Sequence, residues 1–432
     1  MINVVRARWV LPIEPWQVVH DGAVAFDDDG ILAVGPAQDV LADYPEATVE
    51  TFDNHALMPG MVNAHTHAAM TLLRGYGDDL PLMSWLNDRI WPTESRWVDP
   101  GFVADGTRLA AAEMLAGGVT CFSDMYFFPQ AAIEVAQRYG IRIMSGQVVV
   151  DGRTTYARDA AEHIEKGLAV IETHKNTPRV HFALAPHAPY TVSDDVFGQL
   201  VELCERLDVP MHTHVHETQA EVEQGLDEYG VRPLARLDRL GVVGPRLIAA
   251  HAVHLTDDEI ALLGRRGAAL VHCPVSNLKL ASGIARLTQW LGAGIRAGLG
   301  TDGAASNNRL DVFGDMRVAA MLAKGTSGDA AAVAAPVALH LATMGSAAAM
   351  GLDQQIGSLS RGKSVDMIAV DLSGFELAPI YDVGSHLVNS AGRENVTDVW
   401  VDGNRCKRDG ELTRDDPSEL AALARSWQQR IG

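Results

Sequence analysis

Short apolar segments alternate with longer amphipathic ones throughout the middle of the chain, from residue 58 to 356. The short segments have the uninterrupted hydrophobicity of strands buried on both faces of a parallel sheet, and those between them have helical spacing. Eight strands that alternate with helices predict an α/β fold of the (β/α)8, TIM-like barrel type. The candidate strands are GMVNAH, VTCFSDM, IRIMSGQVV, VHFALAP, VPMHTHV, LIAAHAV, AALVHCP and IRAGLGTD.

The two ends of the chain have a different pattern. Residues 1–57 alternate apolar and polar side chains between acidic, glycine-containing turns, which predicts antiparallel strands and no helix. Strand-like segments return after residue 356, and DPSELAALARSWQQRI predicts a terminal helix. We therefore expect residues 1–57 and 357–432 to form one small β-sandwich domain, with the catalytic barrel at 58–356 between them.

The charge of the chain limits its partners. Among 432 residues, 55 acidic against 35 basic side chains give a formal net charge of −20, which repels phosphate backbones and anionic lipid headgroups. We therefore expect no nucleic-acid or membrane partner. The four cysteines form no C-x-x-C pair, and no signal peptide or membrane-spanning segment is recognisable, which predicts a reducing, cytoplasmic location.

The segment GSLSRGKS, residues 357–364, matches the pattern of a phosphate-binding loop. Such a loop needs a strand before it and a helix after it, because the phosphates rest on N–H groups at the start of the helix. Here the preceding segment has helical spacing, and the following VDMIAVDL alternates like a strand. We interpret the segment as a connection from the last barrel helix to the β domain.

Histidines and acids collect at the carboxyl ends of the candidate barrel strands, where such barrels place their active sites. His65 and His67 lie two residues apart in AHTHA, so both imidazoles face the same side of one strand. His251 ends the strand LIAAHAV, with His254 as a less favoured alternative. Asp302 ends the last strand, in AGLGTDG.

His212, His214 and His216 repeat the same spacing on another strand, in PMHTHVHET, which predicts that all three face one side. Three more histidines cannot all bind one ion that already has two ligands, so some must pack or hydrogen-bond instead. We choose His214 as the ligand. Glu217 then follows three residues later, just beyond the strand end, where its carboxylate can reach a bound substrate.

Taken singly, each of these residues is explained by a buried, hydrogen-bonded histidine or by an acid at a helix start. Their collection on one face of one barrel favours a metal site instead. Three imidazole nitrogens and one carboxylate oxygen suit a divalent cation, zinc first and iron or manganese next. No G-x-S-x-G, H-E-x-x-H or P-C-x-x-C segment supports another hydrolytic template.

The segments MPGMVNAHTH, HVHE, HAVHL and GTDGAASNN resemble those of the amidohydrolase superfamily, and the likeness covers essentially the whole chain. Within it, THAAMTLLRGYGDDLPLMSWLNDRIWPTES resembles the group of 5'-methylthioadenosine/S-adenosylhomocysteine deaminases, related to triazine chlorohydrolases and guanine-type deaminases. The resemblance implies one metal ion bound by His65, His67, His214 and Asp302. VHFALAPHAPYT offers no lysine for a bridging carboxylate, which favours one metal over two.

The resemblance also implies roles for further residues. Glu217 would shuttle protons, His251 would orient the attacking water, and Asp302 would accept the proton of that water. Glu94, in WPTES, would reach the ribose hydroxyls, and His187, in LAPHAPYT, would contact the substrate. A surface acid on a helix and a packing histidine at a strand end are the alternatives for these two. Members of the family commonly form homo-oligomers, which we expect here.

The expected function is metal-dependent hydrolytic deamination of adenine nucleosides, with 5'-methylthioadenosine, S-adenosylhomocysteine or both as substrate. A deaminase or chlorohydrolase of a free purine, pterin or triazine ring is the nearest alternative. Glu94 distinguishes the two, because a ribose-binding carboxylate has no purpose for a free base. A non-catalytic metal-binding barrel is the second alternative, and Glu217 and His251 argue against it because neither is needed merely to hold an ion.

Overall fold

The computed structural model describes every residue from Met1 to Gly432. Its strands are β1 (Asn3–Val10), β2 (Val19–Asp27), β3 (Gly30–Pro36), β4 (Thr48–Pro59), β5 (Met61–Thr66), β6 (Val119–Tyr126), β7 (Arg142–Val149), β8 (Val180–Pro186), β9 (Met211–Val215), β10 (Leu247–His251), β11 (Ala269–His272), β12 (Arg296–Leu299), β13 (Met367–Asp371), β14 (Val396–Val401), β15 (Asn404–Arg408) and β16 (Glu411–Leu412).

The α-helices are α1 (Ala37–Asp43), α2 (Leu82–Trp85), α3 (Trp91–Trp97), α4 (Pro100–Ala116), α5 (Pro129–Tyr139), α6 (Ala160–His174), α7 (Asp194–Leu207), α8 (Gln219–Tyr229), α9 (Pro233–Arg239), α10 (Asp257–Arg266), α11 (Pro274–Lys279), α12 (Leu287–Gly292), α13 (Ala304–Asn307), α14 (Val312–Ser327), α15 (Ala335–His340), α16 (Ser346–Ala349), α17 (Val383–Asn389) and α18 (Pro417–Ile431). A π-helical turn, Leu86–Ile90, joins α2 to α3. None of the helices combines the length and the apolar character that crossing a membrane requires.

Strands β5 to β12 form one parallel sheet in which each strand pairs with the next along the chain. The sheet closes on itself beyond β12, where the backbone N–H of Asp302 donates to the carbonyl oxygen of His65 in β5 at 3.0 Å. Every residue of β6 and β7 is buried, as expected for strands with a packed interior on one face and helices on the other. The predicted (β/α)8 barrel is confirmed.

Strands from both ends of the chain build the second sheet, in the order β16-β15-β14-β13-β4-β1-β2-β3. The C-terminal β13 therefore lies directly beside the N-terminal β4, and Met367 pairs with Pro59 in antiparallel register. The prediction that the two chain ends form one β domain is confirmed. The limits 1–57, 58–356 and 357–432 stay predictions.

Helix α1 contradicts the prediction that residues 1–57 contain no helix. Its buried residues, Ala37 and Val40, pack in a small apolar cluster with Val4, Ala23 and Ala25 of the neighbouring strands. Seven residues make only about two helical turns. A helix this short places too few apolar residues on one face to stand out from an alternating strand pattern.

The GSLSRGKS segment runs between α16 and β13, as the connection interpreted from the sequence. The N–H of Leu359 donates to the carbonyl oxygen of Pro12 at 3.0 Å, and the N–H of Gly362 donates to that of Ile31 at 2.8 Å. These backbone donors bind the N-terminal part of the chain, and a strand, not a helix, follows. The segment therefore lacks the arrangement that binds phosphate.

A buried ion pair joins the barrel to the β domain. Arg142, at the start of β7, lies 3.0 Å from the carboxylate of Asp366, and their side chains are 5% and 1% exposed. The same carboxylate accepts hydrogen bonds from the Ser364 hydroxyl at 2.8 Å and from the Asp402 N–H at 3.0 Å. Because the charges are paired and hydrogen-bonded, their burial is tolerated.

Replacement of Asp366 by Ala should lower the free energy of unfolding by about 3–5 kcal/mol, because it leaves the Arg142 charge buried without a partner. Urea denaturation followed by fluorescence measures the change. Glu172→Ala is the matched control, because it breaks the exposed pair with Lys175 and should leave stability nearly unchanged. Equal stability of the Asp366→Ala and Glu172→Ala variants would show that the buried pair does not stabilise the contact between the two domains.

Candidate active site

A cavity of about 650 Å³ opens at the carboxyl ends of the barrel strands. This volume lies in the range of small-molecule sites, about 300–1,000 Å³. Seven of the residues predicted from the sequence line it, namely His67, Glu94, His187, His214, Glu217, His251 and Asp302. The eighth, His65, is fully buried, with its ring against that of His67. The structure thus brings all predicted site residues together.

His65, His67 and Asp302 form a first group of potential metal ligands. The two histidines stand two residues apart at the end of β5, and Asp302 follows β12, the strand that closes the barrel against β5. His67 Nε2 lies 3.2 Å from Asp302 Oδ1, and His65 Nε2 lies 3.6 Å from the same oxygen. Closure of the barrel therefore creates this part of the site.

His214 and His251 complete the cluster from β9 and β10. Together with His65, each places one ring nitrogen within 4.8 Å of the others. The His214 ring stacks with the rings of His67 and His251, with centroids 5.4 Å apart in both pairs. All four predicted ligands therefore converge, and a ring nitrogen of His251 lies equally close to those of His65 and His214.

Burial keeps the His65 and His214 imidazoles neutral, so that their lone pairs are available. It lowers the pKa of His65 and of His214 well below the usual range, and neighbouring histidines lower both pKa values further. His65 Nε2 is buried without any hydrogen-bond partner. A buried polar atom left unpaired costs about 1–3 kcal/mol. An unpaired nitrogen that faces a carboxylate and further imidazoles therefore fits a metal ligand.

Hydrogen bonds at Nδ1 fix which ring nitrogen faces the cluster. His67 Nδ1 donates to the carbonyl oxygen of Met125, and His214 Nδ1 donates to that of His187, both at 2.6 Å. Because a carbonyl oxygen only accepts, Nδ1 carries the proton in both rings and Nε2 keeps its lone pair. Contacts of this kind orient the histidines that bind metals.

His65 is held by another histidine. Its Nδ1 lies 3.0 Å from Nε2 of His212, and His212 Nδ1 lies 3.2 Å from the hydroxyl oxygen of Ser123. When His65 Nε2 keeps its lone pair for a metal, its Nδ1 must donate to His212, and His212 must donate to Ser123. Burial lowers the pKa of His212 to about 3, which keeps this ring neutral, as the chain of hydrogen bonds requires.

His216 departs from the predicted same-side series. Strand β9 ends at Val215, and His216 has a left-handed backbone with φ 52°. Its Nε2 accepts a hydrogen bond from the N–H of Leu234 at 3.0 Å, outside the cluster. The prediction that three histidines share one side is therefore wrong for His216, because the strand geometry ends before it.

Asp302 has three donors of its own. The hydroxyls of Ser276 and Ser306 donate to Oδ2 at 2.6 and 2.8 Å, and the N–H of Gly303 donates to Oδ1 at 2.7 Å. Burial opposes ionisation, but nearby imidazoles and the hydroxyl donors together hold the pKa of Asp302 below its usual value. The carboxylate is therefore ionised at neutral pH.

Glu217 is buried beside His251, with 3.9 Å between Glu217 Oε2 and His251 Nε2. Burial raises the pKa of Glu217 above its usual value. Glu221, which the sequence analysis missed, accepts hydrogen bonds from the backbone N–H groups of His216 and Glu217 at 2.7 and 2.8 Å. Glu221 therefore holds the turn that aims Glu217 into the cavity.

Helix α11 supplies two more contacts that the sequence analysis missed. Ser276 donates to Asp302, and the Asn277 side-chain oxygen lies 2.8 Å from His251 Nδ1. The signal for both residues was their position in HCPVSN, directly after β11 at the active face of the barrel. His254, the less favoured alternative to His251, lies outside the cluster with its Nε2 2.7 Å from a backbone carbonyl oxygen.

Glu94 and His187 lie where substrate contact was predicted. Glu94, on α3, accepts a hydrogen bond from the Tyr126 hydroxyl at 2.6 Å, and burial raises the pKa of Glu94 to about 7. The His187 ring is 4.8 Å from that of His214, and its Nδ1 lies 3.2 Å from the Thr191 hydroxyl. Their contact with a substrate stays a prediction.

The family of the chain follows from comparison with known proteins. The model of the amidohydrolase family matches residues 56–406. The model of an imidazolonepropionase-like composite domain from bacteria matches residues 22–47. The chain belongs to the amidohydrolase family, which confirms the resemblance found in the sequence.

Three relatives illustrate the likeness. A 5-methylthioadenosine/S-adenosylhomocysteine deaminase from Saccharophagus degradans is 42% identical, with 99% of this chain and 96% of the relative covered. The crystal structure of an adenosine deaminase from Xanthomonas campestris with bound zinc is 46% identical, with a TM-score of 0.97 and coverage of 99% of this chain and 98% of that one. An atrazine chlorohydrolase from Arthrobacter aurescens complexed with zinc, 23% identical over 100% of both chains with a TM-score of 0.92, shares the fold.

Replacement of His212 by Leu should weaken Zn²⁺ binding about 10–100-fold, because loss of this hydrogen bond leaves His65, a predicted ligand, free to rotate. His212→Gln should retain more affinity, since its amide oxygen can accept the bond from His65 Nδ1. Competition with a chromogenic chelator gives the Zn²⁺ dissociation constants without reference to activity.

His272→Leu is the matched control. His272 is also buried, at the end of β11, but its ring packs against Trp290 and bonds to none of the cluster. This variant should bind Zn²⁺ like the wild type. The same loss of affinity in the His212→Leu and His272→Leu variants would mean that general repacking, not the hydrogen bond to His65, controls metal binding.

Proposed function

We propose that the chain is a metal-dependent hydrolytic deaminase of adenine nucleosides. Its substrate is 5'-methylthioadenosine, S-adenosylhomocysteine or both, and its products are the inosine analogue and ammonia. The observation that carries the proposal is a single cavity lined both by potential metal ligands, His67, His214 and Asp302, and by Glu94. The nearly full-length likeness to the deaminase from S. degradans supports it.

One zinc ion fits the donor set, and iron or manganese are the other candidates. The bound zinc of the related X. campestris structure supports this choice. His65, His67, His214 and Asp302 would hold the ion. When bound, zinc lowers the pKa of a coordinated water to about 7 and so makes a nucleophile available at neutral pH.

The chain's own residues would move the protons. The oxygen of water adds to C6 of the adenine ring, and Glu217 gives a proton to N1 in the same step. Asp302 accepts the first proton that the water loses and passes it to the amino group, which leaves as ammonia. Glu217, deprotonated after its transfer to N1, takes the remaining hydroxyl proton as the C6 carbonyl forms. The raised pKa of Glu217 and the lowered pKa of Asp302 suit an acid and a base, respectively. His251 would orient the water.

The rest of the cavity would bind the nucleoside. Glu94 would accept hydrogen bonds from the ribose hydroxyls, and His187 would contact the substrate. Apolar side chains from α2 and the turn after it, Leu82, Trp85 and Leu86, line the same cavity. They favour an apolar 5' substituent such as a methylthio group, because its burial gains about 25 cal/mol per Å².

Adenosine is a second candidate substrate, because the X. campestris relative is described as an adenosine deaminase. A cytoplasmic homo-oligomer without nucleic-acid or membrane partners is also part of the proposal. It rests on the charge of the chain and on the family resemblance.

A substrate panel tests the proposed function. Zinc-replete protein should release ammonia from 5'-methylthioadenosine or S-adenosylhomocysteine, with the absorbance change from adenine to hypoxanthine. Adenosine should react more slowly, and guanine and triazines should not react. A strong chelator should abolish turnover, and added zinc should restore it. Turnover of a triazine or a free purine without turnover of any adenine nucleoside would contradict the proposal.

Two substitutions separate proton transfer from metal binding. Glu217→Gln should lower kcat about 10²–10⁴-fold at unchanged zinc content, because it removes an acid but no ligand. His214→Ala should lower the zinc content itself, measured by atomic emission. Near-normal turnover of Glu217→Gln would exclude Glu217 as the proton donor. Stoichiometric, tightly bound zinc in His214→Ala would exclude His214 as a ligand.

A further inference from the structure

Glu94 is tied to the barrel by one hydrogen bond. It lies on α3, in the long connection between β5 and β6, and not on a barrel strand. Its Oε1 accepts from the Tyr126 hydroxyl at 2.6 Å, while its Oε2 has no partner in the protein and the residue lines the cavity. A distance of 2.6 Å is typical of a charge-assisted bond from a hydroxyl to a carboxylate.

The strand that carries Tyr126 also holds the metal-binding end of the site. Asp124, Met125 and Tyr126 are the last three residues of β6, and each makes a hydrogen bond to a residue of another segment of the site. The Asp124 carboxylate accepts from the N–H of Ala68 at 2.8 Å, and the Met125 carbonyl oxygen accepts from His67 Nδ1 at 2.6 Å. The fully buried end of β6 therefore contacts both the segment that carries the predicted ligand His67 and the carboxylate of Glu94.

We propose that Tyr126 is a positioning residue: it holds the Glu94 carboxylate, beside the metal cluster, in the orientation in which it accepts from the ribose hydroxyls of the nucleoside. The inference rests on the proposed function. The terminal torsion of a glutamate is broad, so a carboxylate without this bond samples many orientations. The bond leaves Oε2 free to accept from a sugar hydroxyl.

The charge of Glu94 points the same way. Burial raises the pKa of Glu94 to about 7, while the Tyr126 hydroxyl and the nearby His67 lower it. Loss of the hydroxyl would therefore raise this pKa further and leave more of the carboxyl protonated at neutral pH. A protonated carboxyl accepts hydrogen bonds less well than a carboxylate.

Tyr126→Phe removes the hydroxyl and keeps the ring. In the full-length, zinc-replete enzyme, KM for the preferred adenine nucleoside should rise about 10-fold, the effect of one hydrogen bond to a charged group. The kcat, zinc content and Tm should stay close to those of the wild type. With the 2',3'-dideoxy analogue, the wild type and Tyr126→Phe should have the same KM. Tyr156→Phe is the matched control, because the Tyr156 ring packs on Phe128 and its hydroxyl does not contact Glu94.

A double-mutant cycle with Glu94→Gln separates a role through Glu94 from a general structural one. In the Glu94→Gln background, Tyr126→Phe should add no further rise in KM. An unchanged KM in Tyr126→Phe, additive effects in the cycle, or an equal loss with the dideoxy analogue would overturn the inference while nucleoside turnover by the wild type stands. Absence of nucleoside turnover in the wild type would overturn the proposed function and, with it, the inference.

Discussion

Each of the three imidazoles predicted to bind the metal, His65, His67 and His214, is held through its Nδ1 atom, two of them by backbone carbonyl oxygens and one by a second imidazole. This constraint directs three lone pairs to one point, where a fourth donor, the carboxylate, already lies. The acceptors lie in β6, directly after β8 and in β9, so the closed barrel, not any single strand, fixes the geometry of this histidine cluster. Without the tautomers that these bonds set, the same histidines would be merely buried polar groups, which are costly to hold in a core.

Two acidic residues in the same cavity, Glu217 and Asp302, have pKa values shifted in opposite directions by their surroundings. Burial raises the pKa of Glu217, whereas the nearby imidazoles and two hydroxyl donors lower that of Asp302. Two carboxyl groups with opposite shifts can serve as acid and base at one pH. Glu221 has a different role, because each of its carboxylate oxygens accepts from a backbone N–H group and so fixes the direction of Glu217.

The sequence predicts the features that follow from the periodicity of hydrophobic residues or from a position at the end of a strand. The barrel, the shared β domain and the convergence of His65, His67 and His214 all follow from strand periodicity and from the known active face of such barrels. The left-handed backbone of His216 does not follow, because it lies one residue beyond the end of β9, a boundary that periodicity does not place. The contact from Tyr126 to Glu94 joins two segments that are close only in the folded chain. For Glu221 a signal exists, since T-x-x-E at the start of α8 predicts a capping box, but its carboxylate reaches beyond the cap residue.

The position of β13 beside β4 has a consequence for how the molecule is made. During synthesis β4 emerges early, with β1 as its partner on one side, and the N–H and carbonyl groups on its other side wait for a strand some 300 residues later. Until the C-terminal part leaves the ribosome, that side is an open sheet edge, which other chains can join. The barrel strands pair in chain order and can assemble before β13 is made. Once β13 is available, it pairs with β4 and the edge is no longer open.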